Sequence, residues 1–247
     1  MKIVISPSKR MKVNEEDFPV SRLPIFLNKS KELLAFLKKK NMRQLKEIWK
    51  CSDKIAYMNH ENLKTLSLTD HLTPAILAYS GLQYTTMAPH VFSQDALDYI
   101  QKHLRIISGF YGSLAPFDGI VPYRLEMKTS LDINKNHSLY DFWGKDIYDD
   151  IIEDGHLIIN LASKEYIKSI TPYLQDKDKM ITIIFGEIHE GKIKQKGTFA
   201  KMARGEMVRY LAENNIQNEE DIKSFHELGY HFNEVYSNDK EYVFIKQ

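Results

Sequence analysis

The 247-residue chain has one cysteine, Cys51, two tryptophans and eight prolines. A single cysteine excludes an internal disulfide and any zinc site built on several thiolates. Apolar runs are short, and none approaches the ~20 residues of a membrane span. The chain has no large charge excess either: 34 Lys and Arg stand against 33 Asp and Glu, a net charge of +1. The total therefore says nothing about an anionic partner. Phosphate-binding signatures are missing as well: there is no P-loop, and no G-x-G-x-x-G follows a strand. The nine histidines are scattered. His226 and His231 in HELGYH miss the i, i+4 spacing of H-E-x-x-H, so no metal and no cofactor are expected.

Other features are abundant. Hydrophobic residues make up 43% of the chain and charged residues 27%, the balance of a globular protein able to bury a core. The N-terminus, MKIVISPSKRMK, has three apolar residues after its first lysine, too few for a leader. It reads as a buried strand over 2–6, and a cytoplasmic location is expected. Charge is segregated although the total is balanced. Residues 8–50 carry twelve Lys/Arg against five Asp/Glu, residues 191–209 six against one, and residues 210–241 two against eight. Segregated positive charge can form a field that attracts an anion, although solvated helix faces give the same counts.

The pattern predicts interspersed helices and strands. Two amphipathic helices over 28–50 break near Asn41, and a further helix runs from Ser52 to about Leu66. AILAY (75–79) reads as a second buried strand. Ser93 caps a helix carrying Leu97, Ile100, Leu104 and Ile107 at helical spacing. Ser138 and Asp141 resemble a capping box that opens LYDFWGKDIYDDII. HLIINLA is a strand, MITIIFGEI and KIKQK a hairpin, and residues 198–215 a helix. YHFNEVY and EYVFIKQ form a second hairpin. There is no strict βα rhythm, no repeat and no linker. The expected fold is therefore a mixed α/β (α+β) single domain over 1–247.

Four candidates could carry chemistry. The densest is His103–Met127, HLRIISGFYGSLAPFDGIVPYRLEM, with three glycines, two prolines, four aromatics and two arginines in 25 residues. A helix ending at Ile107, followed by a turn with Gly109 and Gly112, has the outline of a helix-hairpin-helix element. Backbone N–H groups in such a turn can face a DNA phosphate. The competing reading is a tight turn with Phe110 in the core. In TFAKMARGEMVRYLAENN, Lys201, Gly205 and Arg209 fall opposite the apolar face, with Arg204 at its edge. Gly205 there would let a phosphate or another segment approach the backbone. Ser6-Pro7-Ser8-Lys9 follows the first strand, where loops commonly carry function. Its S-x-x-K spacing lacks the companion motifs of penicillin-binding enzymes, which leaves Lys9 as an anion contact. Arg124 and Glu126 alternate with apolar residues, so they form either a buried ion pair or half of a pocket. Asn160 and Ser163 follow a later strand.

Taken in order, ISPSK, the His103–Met127 segment, LYDFWG, NLASKEY and KMARGEMVRYLAENN closely resemble the YaaA family of bacterial proteins over essentially the whole chain. The resemblance implies a cytoplasmic protein of the hydrogen peroxide response that helps limit iron-dependent DNA damage. It also implies a compact fold with a positively charged cleft, a helix-hairpin-helix element and DNA binding. No reaction is firmly attached to the family. Carried over by motif, the DNA- or phosphate-binding set is Lys9, Arg105, Gly109, Gly112, Arg124, Lys201, Arg204, Gly205 and Arg209. Two departures bear on it: Leu114-Ala115-Pro116 stands where the family often has L-R-P, and Lys164 where an acidic residue is common.

The leading expectation is a monomeric, non-enzymatic protein that binds DNA non-specifically through that cleft, with Phe110 and Tyr111 stacking on exposed bases. The alternative is an enzyme acting on a nucleotide or nucleobase, with Glu126, Ser6 and Asn160 as candidate catalytic groups. A closed cavity lined by Lys9, Arg124, Glu126 and Asn160 would favour the enzyme. Basic residues spread along an open groove would favour DNA binding alone. Direct iron sequestration is not expected, for lack of ligands.

Overall fold

A computed structural model describes residues 1–14 and 17–247. At its centre lies an eight-stranded mixed sheet. In chain order the strands are β1 (Lys2–Ile5), β2 (Leu104–Ser108), β3 (Gly112–Leu114), β4 (Leu157–Asn160), β5 (Lys179–His189), β6 (Lys192–Lys194), β7 (Tyr230–Phe232) and β8 (Glu241–Lys246). Across the sheet they run β7-β8-β5-β4-β1-β2-β3, with β6 paired to β5 off this path. The five strands β8, β5, β4, β1 and β2 are mutually parallel. Antiparallel β3 and β7 close the two edges, and β6 hairpins back on β5. Ile3, Val4 and Ile5 are wholly buried, as are Ile158 and Ile159. Such continuous apolar runs belong to strands covered on both faces.

Helices cover the sheet: α1 (Leu27–Lys38), α2 (Met42–Trp49), α3 (Asp53–Thr65), α4 (Leu82–Met87), α5 (Gln94–His103), α6 (Leu139–Trp143), α7 (Asp146–Ile152) and α8 (Gly197–Glu213). The break between α1 and α2 falls at Asn41 as predicted. There Asn41 and Gln44 form a reciprocal capping box. Ser93, Ser138 and Asn218 also cap helices with their side chains. Gly144, at φ +52°, separates α6 from α7, where the sequence suggested one helix.

Two sequence expectations are corrected. AILA (75–78) is a helical turn rather than a strand, and only Tyr79–Ser80 extends, pairing with Arg10–Met11. The helix-hairpin-helix element is also not formed. Helix α5 ends at His103, and residues 104–108 are a fully buried strand. The turn then leads into β3, making a β-hairpin with Ser108 opposite Gly112. Ser108 Oγ accepts from the N–H groups of Phe110 and Tyr111, so those donors are satisfied internally. The run Ile106-Ile107 suits a central strand better than the last turn of a helix, because β-branched side chains are stiff at χ1.

The topology fixes where a site can form. From β1 the chain crosses to β2 on one side, and from β4 it crosses to β5 on the other. β1 and β4 are neighbours, with Val4 level with Asn160. Their outgoing loops therefore part company and leave a crevice at the carboxyl ends of the strands. In parallel α/β sheets this is where ligands bind.

Candidate functional site

That crevice is a cleft of about 510 Å³. Its floor is the two diverging loops, Ser6–Arg10 after β1 and the Ser163–Tyr166 stretch after β4. One hydroxyl ties them together: Ser163 N–H donates to Ser6 Oγ at 2.8 Å, and Ser6 Oγ lies 3.3 Å from Ser163 Oγ. Asn160 shapes the exit from β4. Its Oδ1 accepts from Ala162 N–H at 2.9 Å, and its Nδ2 donates to Thr182 Oγ1 at 3.1 Å. The third wall is Ser80–Tyr84, which leads into α4, and the fourth is α8 with Lys201 and Arg204. Tyr84 donates its hydroxyl to Ser6 C=O at 2.9 Å, which pins α4 to the β1 loop. Ser8 donates to Ser80 C=O. A Cβ on Gly81 would meet Ser8 Oγ at 2.8 Å, so this close contact depends on glycine.

Gly205 sets the fourth wall. A Cβ there would lie 2.1 Å from the backbone oxygen of Gln83. The bare backbone lets α8 press onto α4, and the residues beside this contact, Arg204 and Gln83, both line the cleft. Of the two roles the sequence offered Gly205, the structure shows approach of another segment.

Six charged groups line the cleft. Lys9 Nζ is 2.9 Å from Glu126 Oε2, and the opposite oxygen of Glu126 accepts from Arg124 at 2.9 Å. Glu165 accepts from Lys128 N–H, with the Lys128 ammonium 3.8 Å away. Both carboxylates are therefore compensated. Arg10, Lys201 and Arg204 have no carboxylate partner among the described residues. The Nε of Arg204 is buried without a hydrogen-bond acceptor, as are those of Arg105 and Arg124, but Arg204 stands out because it alone of the three meets no carboxylate among the described residues. Burial alone lowers its pKa from the ordinary value, and no anion offsets that cost. The Nε2 of Gln83 is likewise buried without an acceptor. Burial, with smaller contributions from neighbouring groups, raises the pKa of Tyr84 and Tyr166, so both stay neutral hydroxyls in the cleft.

The structure sorts the residues singled out in the sequence. Lys9, Lys201 and Arg204 meet in the cleft with Ser6 and Glu126. Arg124 stands behind Glu126 and faces a smaller cavity beside Trp49 and Lys128. It and Glu126 pair as expected, although residues 122–127 form no strand. Asn160 is 3% exposed and lies below the lining. Arg105 is buried, with its Nε 3.3 Å from Asp150 and one terminal nitrogen donating to Leu104 C=O. It is an internal charge and presents nothing to a phosphate. A Cβ on Gly109 would meet Leu125 O at 2.7 Å, and one on Gly112 would meet the Trp143 ring at 2.8 Å. Both glycines face the core. Phe110 and Tyr111 are buried too, so neither can stack on a base. Arg209 pairs with Glu213 one turn along α8, outside the cleft.

Sequence reasoning missed Arg10 and Gln83. The signal for Gln83 was slight: Ser80-Gly81 after an apolar run read only as the end of a strand. Among the described residues, no group of three or more His, Cys, Asp or Glu is gathered as a metal would require. None of the described helices is long and apolar enough to cross a membrane.

Comparison with known proteins gives one consistent answer. The chain is 51% identical over 246 residues to a UPF0246 protein of Ligilactobacillus salivarius, covering 100% of both chains. A UPF0246 protein of Pediococcus pentosaceus is 49% identical over 246 residues, covering 100% of this chain and 98% of the relative. Another, from Agathobacter rectalis, is 49% identical over 247 residues, covering 100% and 99%. Residues 1–235 match the family model described as peroxide stress protein YaaA, and the chain belongs to that family.

Proposed function

We propose that this chain serves a peroxide-stress role by binding DNA, and that a phosphate of the nucleic acid seats in the cleft between the loops after β1 and β4. One observation carries the reading: Arg204 brings an uncompensated guanidinium to a nucleotide-sized cleft, beside Lys201 and Arg10. The contact set is smaller than the family motifs suggest. It consists of Lys9, Arg10, Lys201 and Arg204, with no part for Arg105, Gly109, Gly112 or Arg209. Gly205 contributes by placing α8. Held by phosphate contacts, the complex does not read sequence, and its affinity falls steeply with salt.

The test is fluorescence anisotropy with duplex, bubble and single-stranded DNA across a salt series. Binding in low salt that weakens as salt rises, and disappears with Arg204→Gln plus Lys201→Gln, is expected. Failure to bind any of the three in low salt contradicts the reading.

A second reading, an enzyme acting on a nucleotide or nucleobase, draws support from Glu126. This carboxylate is 13% exposed, lines the cleft and is held between Lys9 and Arg124. Phosphate binding alone has no use for it, whereas a general acid or base would occupy such a place. Incubation with nucleotides and oligonucleotides, followed by mass analysis, tests this. Turnover abolished by Glu126→Gln supports it, and unchanged substrates count against it.

A further inference from the structure

The cleft is lined by residues whose buried donors have no acceptor within the molecule. Gln83 is 7% exposed, and its Nε2 has no acceptor. The Arg204 Nε has none either. A buried donor without a partner is costly, and two lining one cleft call for a shared acceptor. Gly205 creates the coincidence, since only its missing Cβ lets the two helices touch where these side chains emerge. Lys201 adds a third donor and a second cation, and the acids in the cleft are already engaged by Lys9, Arg124 and Lys128.

An internal phosphodiester has one charge and two free oxygens, and its strand must leave on both sides. A phosphate monoester carries up to two charges and three free oxygens, and it ends a chain. The Ser163 N–H to Ser6 Oγ bond joins the two loops at the floor of this cleft, so a strand has no path between them at that point. We propose that the cleft is a phosphate-monoester site. It receives the terminal phosphate of a strand or of a free nucleotide, with Arg204 and Gln83 as the paired donors. The proposal rests on the phosphate-binding reading above and narrows its ligand.

Anisotropy at fixed salt tests it, using one short single strand with a 5′-phosphate, with a 3′-phosphate or with hydroxyls at both ends, the label being internal. A nucleoside monophosphate and the matching nucleoside serve as competitors. At least one phosphate-ended strand should bind about ten-fold tighter than the hydroxyl form, and only the monophosphate should compete. Arg204→Gln and Gln83→Met should each bring that ratio toward one. The wild-type ratio decides even if a variant fails to fold. Equal affinity for all three strands overturns the proposal and leaves DNA binding standing. Binding of the monophosphate without binding of any strand supports the proposal and overturns DNA binding. A wild-type preference that both folded variants retain overturns the assignment to this cleft, and no binding of any probe overturns both readings.

Discussion

The stretch from His103 to Met127 and the cleft at the ends of β1 and β4 look alike in sequence, since both mix glycine, aromatic and basic residues. In the fold they are opposites. In the first, the polar groups are turned inward and most are paired: Arg105 and Arg124 each meet a carboxylate, although the Nε of each lacks a hydrogen-bond acceptor. Tyr123 OH bonds to Tyr79 OH at 2.8 Å and to Ser108 Oγ at 2.7 Å, and the Phe110 ring stacks on Tyr123 at 5.0 Å. Trp143 donates its indole N–H to Gly109 C=O. In the cleft, Arg204 and Gln83 keep buried donors unsatisfied. Identical residue types mark core in one place and a candidate binding site in the other, and the difference is whether each buried guanidinium meets a carboxylate within the molecule.

Stability and binding should therefore separate by region. The largest effect is expected at Gly112, which sits at φ +77° against Trp143. Left-handed backbone strain and the clash together should make Gly112→Ala cost about 4 kcal/mol. That lowers Tm by ~10 °C in calorimetry, with unchanged DNA affinity for the folded fraction. Arg105→Met leaves the buried Asp150 without its arginine and should cost about 3 kcal/mol in denaturant unfolding, again with unchanged affinity. Arg204→Gln should do the reverse. Affinity for DNA falls at least ten-fold, about 1.4 kcal/mol, while Tm holds or rises as an uncompensated guanidinium is removed. Loss of DNA binding with Arg105→Met, or of stability with Arg204→Gln, would break the comparison.

The smallest effect concerns Asp178, at the opposite end of the sheet from the cleft. Burial pushes its pKa up, but hydrogen bonds from Tyr148, from Gln175 N–H and from His156 outweigh burial and hold it below the ordinary value. Its folded-state pKa is thus below the unfolded one. The stability it lends is present above about pH 4 and is lost as pH falls through the folded value. Melting curves of Asp178→Asn should show a shallower acid limb than the parent, with DNA binding at neutral pH unchanged.

Much of the fold was legible because local signals agreed with it. Asn41, Ser93 and Ser138 marked helix starts that the structure keeps, and the two C-terminal hairpins pair as read. The failures have a common cause. At 75–78 and 104–108 a short apolar run fits a strand or a helix equally, and tertiary burial decides. Reading Leu104 and Ile107 with the preceding helix created a helix-hairpin-helix that the buried β2–β3 hairpin replaces. Within the candidate site, Lys9, Lys201, Arg204, Ser6 and Glu126 were found from loops at strand ends and from one helix edge. Arg105 and the glycines beside it lie in the core instead, and sequence cannot show that a basic residue meets an acid as far along the chain as Asp150. Gln83 was invisible, since nothing local distinguishes an amide with a free donor from a surface glutamine.

The salt dependence of DNA binding tests the central claim most directly, measured side by side for the parent, Arg204→Gln and Arg105→Met. Removing one phosphate-binding charge should flatten the slope of log K against log salt by about one. The account predicts that flattening for Arg204→Gln and an unaltered slope for Arg105→Met. A slope that flattens with Arg105→Met and stays put with Arg204→Gln would place the phosphate at the buried hairpin and contradict the account.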